Sequence, residues 1–174
     1  HNHVLFLTLH VVGSGNSFNI NSKMKAVEAI RRDKANKAWI NDALAQLNDK
    51  KHKAVVISLH AGLFEKGAAT GYEAKLVGTK VNGGFLGPYA NMVIKIIELA
   101  KKFKKPVLLI HGDHHQFVVD RPFLVYQGEE KSPENANITR VQVYGAPEIR
   151  AVKVNVEPDT PWVFSFSPLY SKVK

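Results

Sequence analysis

Three short apolar runs govern what this 174-residue chain can fold into. Val4-Leu5-Phe6-Leu7-Thr8-Leu9, Ala54-Val55-Val56-Ile57-Ser58-Leu59 and Val107-Leu108-Leu109-Ile110 are continuous, rich in β-branched and large apolar side chains, and each meets a histidine: His10, His60 and His111. Runs of this length bounded by turn residues read as buried strands. The stretches between them change period. From about Lys23 to Asn48 the spacing is helical, with Trp39, Ala43, Leu44 and Leu47 on one face, and Asp33 offers a cap if Arg31-Arg32 marks a break. Val93, Ile96, Ile97, Ala100 and Phe103 form the stripe of a second helix, with Pro88 suited to its first turn and Pro106 ending it. The glycine-rich stretch 62–87 reads either as a functional loop or as one holding a short helix around residues 72–77.

Beyond residue 120 the pattern becomes short strands at 123–126, 139–144, 151–156 and 162–166, most of them alternating apolar with polar as antiparallel strands do. The expected fold is therefore α/β, a β-α-β-α-β core with an antiparallel C-terminal meander. The length suits one domain over residues 1–174, or the C-terminal part of a larger one. Trp39 and the Trp162/Phe164/Phe166 cluster are expected in the core.

Composition removes several function classes. With 45% apolar and 22% charged residues the chain is neither disordered nor fibrous. No apolar run reaches the ~18–20 residues of a bilayer span. The absence of cysteine excludes disulfides, thiolate metal sites and cysteine nucleophiles. There is no Gly-x-Ser-x-Gly elbow and no His-Glu-x-x-His. Asn137-Ile138-Thr139 fits a glycosylation acceptor but is short enough for chance. The 24 basic and 15 acidic residues give a formal charge of +9, which favours phosphorylated or polyanionic partners. Two lysine-rich runs, at 50–53 and 101–105, read as solvated helix ends that complement helix dipoles.

The strand ends carry the chemistry. In open α/β sheets, ligands bind beyond the carboxyl ends of the strands. His60 and the run His111-Gly112-Asp113-His114-His115 would converge there if their strands are neighbours. Imidazoles with a carboxylate form a ligand set for Zn²⁺, Mn²⁺ or Fe when no thiolate is present. Two-residue alternation places Asp113 and His115 in one site and turns His114 away. The Gly13-Ser14-Gly15-Asn16 stretch after His10 reads either as a loop offering backbone N–H groups to an anion or, with no phosphate-loop pattern, as a plain turn.

The strand ending in His60, the strand ending in Gly112-Asp113-His114-His115, and the segments 137–148 and 152–158 resemble the C-terminal half of calcineurin-like metallophosphoesterases. That resemblance implies part of an αββα sandwich and a divalent two-metal centre. His60 matches the lone histidine of such enzymes, and Gly112-Asp113-His114-His115 matches Gly-His-x-His with Asp113 in place of the first histidine. By resemblance His60, Asp113 and His115 are metal ligands, and His111 or His114 assists catalysis or phosphate binding. The motifs Gly-Asp-x-x-Asp and Gly-Asn-His-Asp/Glu are absent. A two-metal centre needs a bridging carboxylate and more ligands than these three. The chain alone is thus expected to be inactive or nearly so, and to need an N-terminal half. The chain opens on His1, in keeping with a missing segment. The expected substrate is a phosphorylated small molecule or phosphodiester. The alternative is a non-catalytic basic protein that binds phosphate-rich or nucleic-acid partners.

Overall fold

The computed structural model describes residues 3–17, 21–48, 50–63, 89–121, 126–127, 130–131 and 137–170. The glycine-rich stretch after its first two residues, Pro88 and most of the strand expected at 123–126 lie outside them.

The apolar runs form parallel strands β1 (Val4–Thr8), β2 (Ala54–Ser58) and β3 (Val107–His111). The helices α1 (Gly13–Asn16) and α2 (Lys23–Gln46) lie between β1 and β2, and α3 (Ala90–Phe103) precedes β3. After β3 come β4 (Val118–Asp120), the two-residue strands β5 (Tyr126–Gln127) and β6 (Glu130–Lys131), then β7 (Ile138–Gln142), β8 (Arg150–Glu157) and β9 (Val163–Tyr170). The main sheet has the order β1-β2-β3-β7-β4, parallel except for the last pair. The chain is thus α/β with a mixed sheet and a C-terminal antiparallel hairpin, β8–β9.

The expected meander needs one correction. β7 does not pair with β8; it enters the main sheet parallel to β3, between β3 and β4. Four of its five residues are buried, including the polar Arg140 and Gln142, because both of its edges are occupied. The alternation of Thr139-Arg140-Val141-Gln142 resembles an exposed strand, but the polar side chains are satisfied internally. Arg140 Nε donates to Asp120 Oδ1 at 2.7 Å, its Nη2 also bonds Asp120, and Gln142 Nε2 donates to the Gln116 carbonyl at 2.8 Å.

Each face of the sheet has its own core. Ile40 and Ala43 of α2 and Met92, Val93, Ile96, Leu99, Ala100 and Phe103 of α3 pack on Leu7, Val55, Ile57, Val107, Leu109 and Ile138. On the opposite face Val163 and Phe164 of the hairpin cover Val4, Val56, Leu108 and Val141. Strand alternation sends neighbouring residues of one buried run to opposite cores, which is why the runs are continuously apolar. The α2 helix is unbroken through Arg31-Arg32, and Asp33 pairs with Lys37 at 2.8 Å instead of capping. Trp39 is 52% exposed and Trp162 69%, so neither belongs to the core as expected; Arg121 stacks over Trp162 at 5.1 Å. Lys101 and Lys102 do occupy the last turn of α3, whereas α2 ends at Gln46, before the 50–53 run. The Asn137 amide donates to the carbonyls of Ala100 and Lys105, each at 2.9 Å, so this asparagine is a structural tie between α3 and β7. Among the described residues no helix is long and apolar enough to cross a membrane.

Candidate functional site

The parallel register brings the carboxyl ends of β1, β2 and β3 to one edge. Backbone hydrogen bonds continue past the strands: Leu9 N–H to the Ser58 carbonyl at 2.8 Å, Leu59 N–H to the Ile110 carbonyl at 3.0 Å, and Gly112 N–H to the His60 carbonyl at 3.2 Å. A methyl group on Gly112 would lie 3.9 Å from His60 Nδ1, so His60 and the β3 exit are neighbours as the sequence predicts.

Asp113 occupies the centre of this edge. Its Oδ2 accepts the Gly62 N–H at 3.0 Å. Its carboxylate is so close to Gly13 that a Cβ there would meet Oδ1 at 2.7 Å. One side chain from the β3 exit therefore touches the loops that follow β1 and β2. The imidazole of His114 joins it, since a Cβ on Gly62 would meet His114 Nε2 at 2.6 Å. His115 turns the other way. Its ring lies against Gly145, where a Cβ would come within 2.4 Å of Cδ2, and its Nδ1 donates to the Ala146 carbonyl at 2.8 Å. Because a carbonyl only accepts, the neutral ring keeps its lone pair on Nε2.

This reverses the expected pairing of side chains: Asp113 sits with His114, and His115 is set apart. The cause is the backbone. Asp113 and His115 both have left-handed conformations, with φ of 75° and 58°, and two-residue alternation holds only in extended chain. Asp and His are among the residues that accept this region at least cost, yet two such positions around His114 store strain, of the kind that concentrates at functional sites.

His111 belongs to the interior. It is 1% exposed and pairs with Gln142 across the sheet; its Nδ1 donates to the Gly112 carbonyl at 3.0 Å. Burial holds its pKa down to about 4, and the Arg140 charge pushes the same way. A neutral imidazole closed off from solvent is unsuited to exchanging protons with a substrate at neutral pH, so of the two histidines expected to assist, only His114 stands at the edge.

Sequence reasoning missed Tyr89 and the glycines. Tyr89, buried at the start of α3, donates from its hydroxyl to the Val12 carbonyl at 3.0 Å and accepts the Asn16 N–H at 3.1 Å, fixing the loop after β1. Its pKa is raised, chiefly by burial and further by the nearby Asp113 charge. On the same loop, Asn36 of α2 clamps the His10 backbone, donating to its carbonyl at 2.8 Å and accepting its N–H at 3.0 Å. Gly13 and Gly62 make room for Asp113 and His114. The available signal was a glycine within three residues of a strand-end histidine, at His10-Val11-Val12-Gly13 and His60-Ala61-Gly62.

As a metal centre this arrangement is incomplete. Asp113, His114 and His115 Nε2 are suitable donors, and a ligating histidine commonly donates its other ring nitrogen to a carbonyl, as His115 does. Yet among the described residues no group of three or more His, Cys, Asp or Glu side chains stands together to hold an ion. His60, Asp113 and His115 do not form one ligand set in this arrangement. Comparison with family models, with curated proteins and with solved structures returns no match.

Proposed function

We propose that this chain is part of a metal-dependent phosphoester hydrolase and contributes the strand-end edge of its active site. The observation that carries this reading is the Asp113 carboxylate, held on a left-handed backbone between Gly13 and Gly62 where three strand exits meet. The helix–sheet–hairpin layering supports its being one part of an αββα sandwich. Asp113 would serve as a ligand to a divalent ion, and His114 would hydrogen-bond the phosphoryl oxygens of a phosphorylated small molecule or phosphodiester. His115 Nε2, set apart from them on the Gly145 side, would take or return a proton. A divalent ion, when bound, supplies charge neutralisation at the phosphoryl oxygens and an activated water. Among the described residues the ligands are too few to hold a pair of such ions, so further donors would complete the centre.

Hydrolysis of bis-p-nitrophenyl phosphate with added Mn²⁺ tests this. Slow, Mn²⁺-dependent turnover that Asp113→Asn lowers at least tenfold is expected. Turnover indifferent to Mn²⁺ or to Asp113 contradicts it. The rival reading is a non-catalytic, phosphate-binding scaffold, favoured by the lack of a three-donor group among the described residues. It predicts salt-dependent binding of polyphosphate with no turnover.

A further inference from the structure

Beside His115 the edge opens into a cleft of about 450 Å³, lined by His115, Gln116, Phe117, Tyr144, Glu148 and Arg150, with Val118 behind. Its planar groups hold one another in place. Phe117 and Tyr144 are stacked, with ring centroids 5.1 Å apart and planes 15° from parallel. The Arg150 guanidinium lies over the Tyr144 ring at 5.3 Å and over Tyr170 at 4.8 Å, and its Nε donates to Glu148 at 2.6 Å. The Phe117 and Tyr144 rings are half-buried, so the wall is preformed. The cleft is open to solvent, and its aromatic wall and few fixed polar groups are of the kind that orient small molecules.

We infer that this cleft binds a planar aromatic ring carried by a phosphate ester, with the ring against the Phe117–Tyr144–Arg150 wall and the phosphate directed along the strand-end segment toward His114. The inference rests on the phosphoesterase reading for the phosphate half only; the ring half stands on the cleft itself. Stacking supplies an affinity that is indifferent to ring identity. Glu148 adds a carboxylate able to accept from a ring amino group, and His115 is common to the cleft and the strand-end segment.

Two sets of titrations separate the halves. Without metal, ligand-detected saturation-transfer NMR with adenosine should show binding that Tyr144→Leu and Arg150→Leu each weaken at least tenfold, while Tyr144→Phe, which keeps the ring, binds as wild type does. With Zn²⁺ present, calorimetry should show adenosine 5′-monophosphate binding at least tenfold tighter than ribose 5-phosphate. The same preference for phenyl phosphate over methyl phosphate marks an aryl ester site, and its restriction to the nucleotide marks a base site; both support the inference. No binding of adenosine, equal losses in Tyr144→Phe and Tyr144→Leu, or equal affinities within both phosphate pairs overturn it. Adenosine binding lost in Tyr144→Leu, with no phosphate ester binding through its phosphate, keeps the ring site and overturns the proposed function instead.

Discussion

The Gly62 N–H donates to Asp113 Oδ2 at 3.0 Å, so the exits of β2 and β3 are joined by a side chain where the sheet ladder has ended. Asp113 is therefore structural as well as a candidate ligand. Asp113→Ala leaves the buried Gly62 N–H without its acceptor and should cost about 1–3 kcal/mol in chemical denaturation, whereas Asp113→Asn, which keeps an oxygen, should cost less. Equal losses in the two variants contradict this role.

Gly13 and Gly62 are small for steric reasons, and neither has a positive φ. Gly13→Ala drives a methyl into the Asp113 carboxylate and Gly62→Ala into the His114 ring. Each should lower stability by about 1–3 kcal/mol, and amide NMR shifts should be largest at residues 112–115. Unperturbed shifts there contradict the packing described.

His111 gives the pH dependence. Folding holds its pKa down to about 4, against 6.5 for the free side chain, chiefly through burial. The unfolded chain thus takes up the proton first. Stability from this group is intact above pH 6.5, falls between 6.5 and 4, and levels below, a loss of about 3 kcal/mol at full extent. Urea unfolding between pH 7.5 and 4 should show this slope, and His111→Gln should flatten it. An unchanged slope in that variant contradicts the assignment.

The bond between Asp120 of β4 and Arg140 of β7 is buried on the arginine side, at 2% exposure. Taking the carboxylate away from a guanidinium so enclosed is expensive, so Asp120→Ala should destabilise the chain by about 3–5 kcal/mol. A loss below 1 kcal/mol contradicts the pairing.

How far the sequence speaks depends on whether a signal is local. The three apolar strands, the stripe Val93 to Phe103 on α3, and the meeting of His60 with the β3 exit all follow from continuous runs and from the rule that ligands gather at strand ends. The place of β7 was hidden, because its parallel pairing with β3 is a long-range choice and Arg140 and Gln142 look exposed until Asp120 and the Gln116 carbonyl are found beside them. Trp39 misled because helical spacing shows which residues share a face, not which face is covered. At the site, the residues were legible and their directions were not. Alternation assumes extended backbone, and the left-handed turns at Asp113 and His115 exchange the partners of Asp113.

Titration of Mn²⁺ into histidine-labelled protein, followed by paramagnetic broadening of the imidazole NMR signals, tests the central claim most directly. The account predicts that His114 broadens first, with His60 and His115 following, that buried His111 responds through proximity alone, and that Asp113→Ala abolishes the order. Uniform broadening of exposed histidines, the same in wild type and in Asp113→Ala, would contradict it.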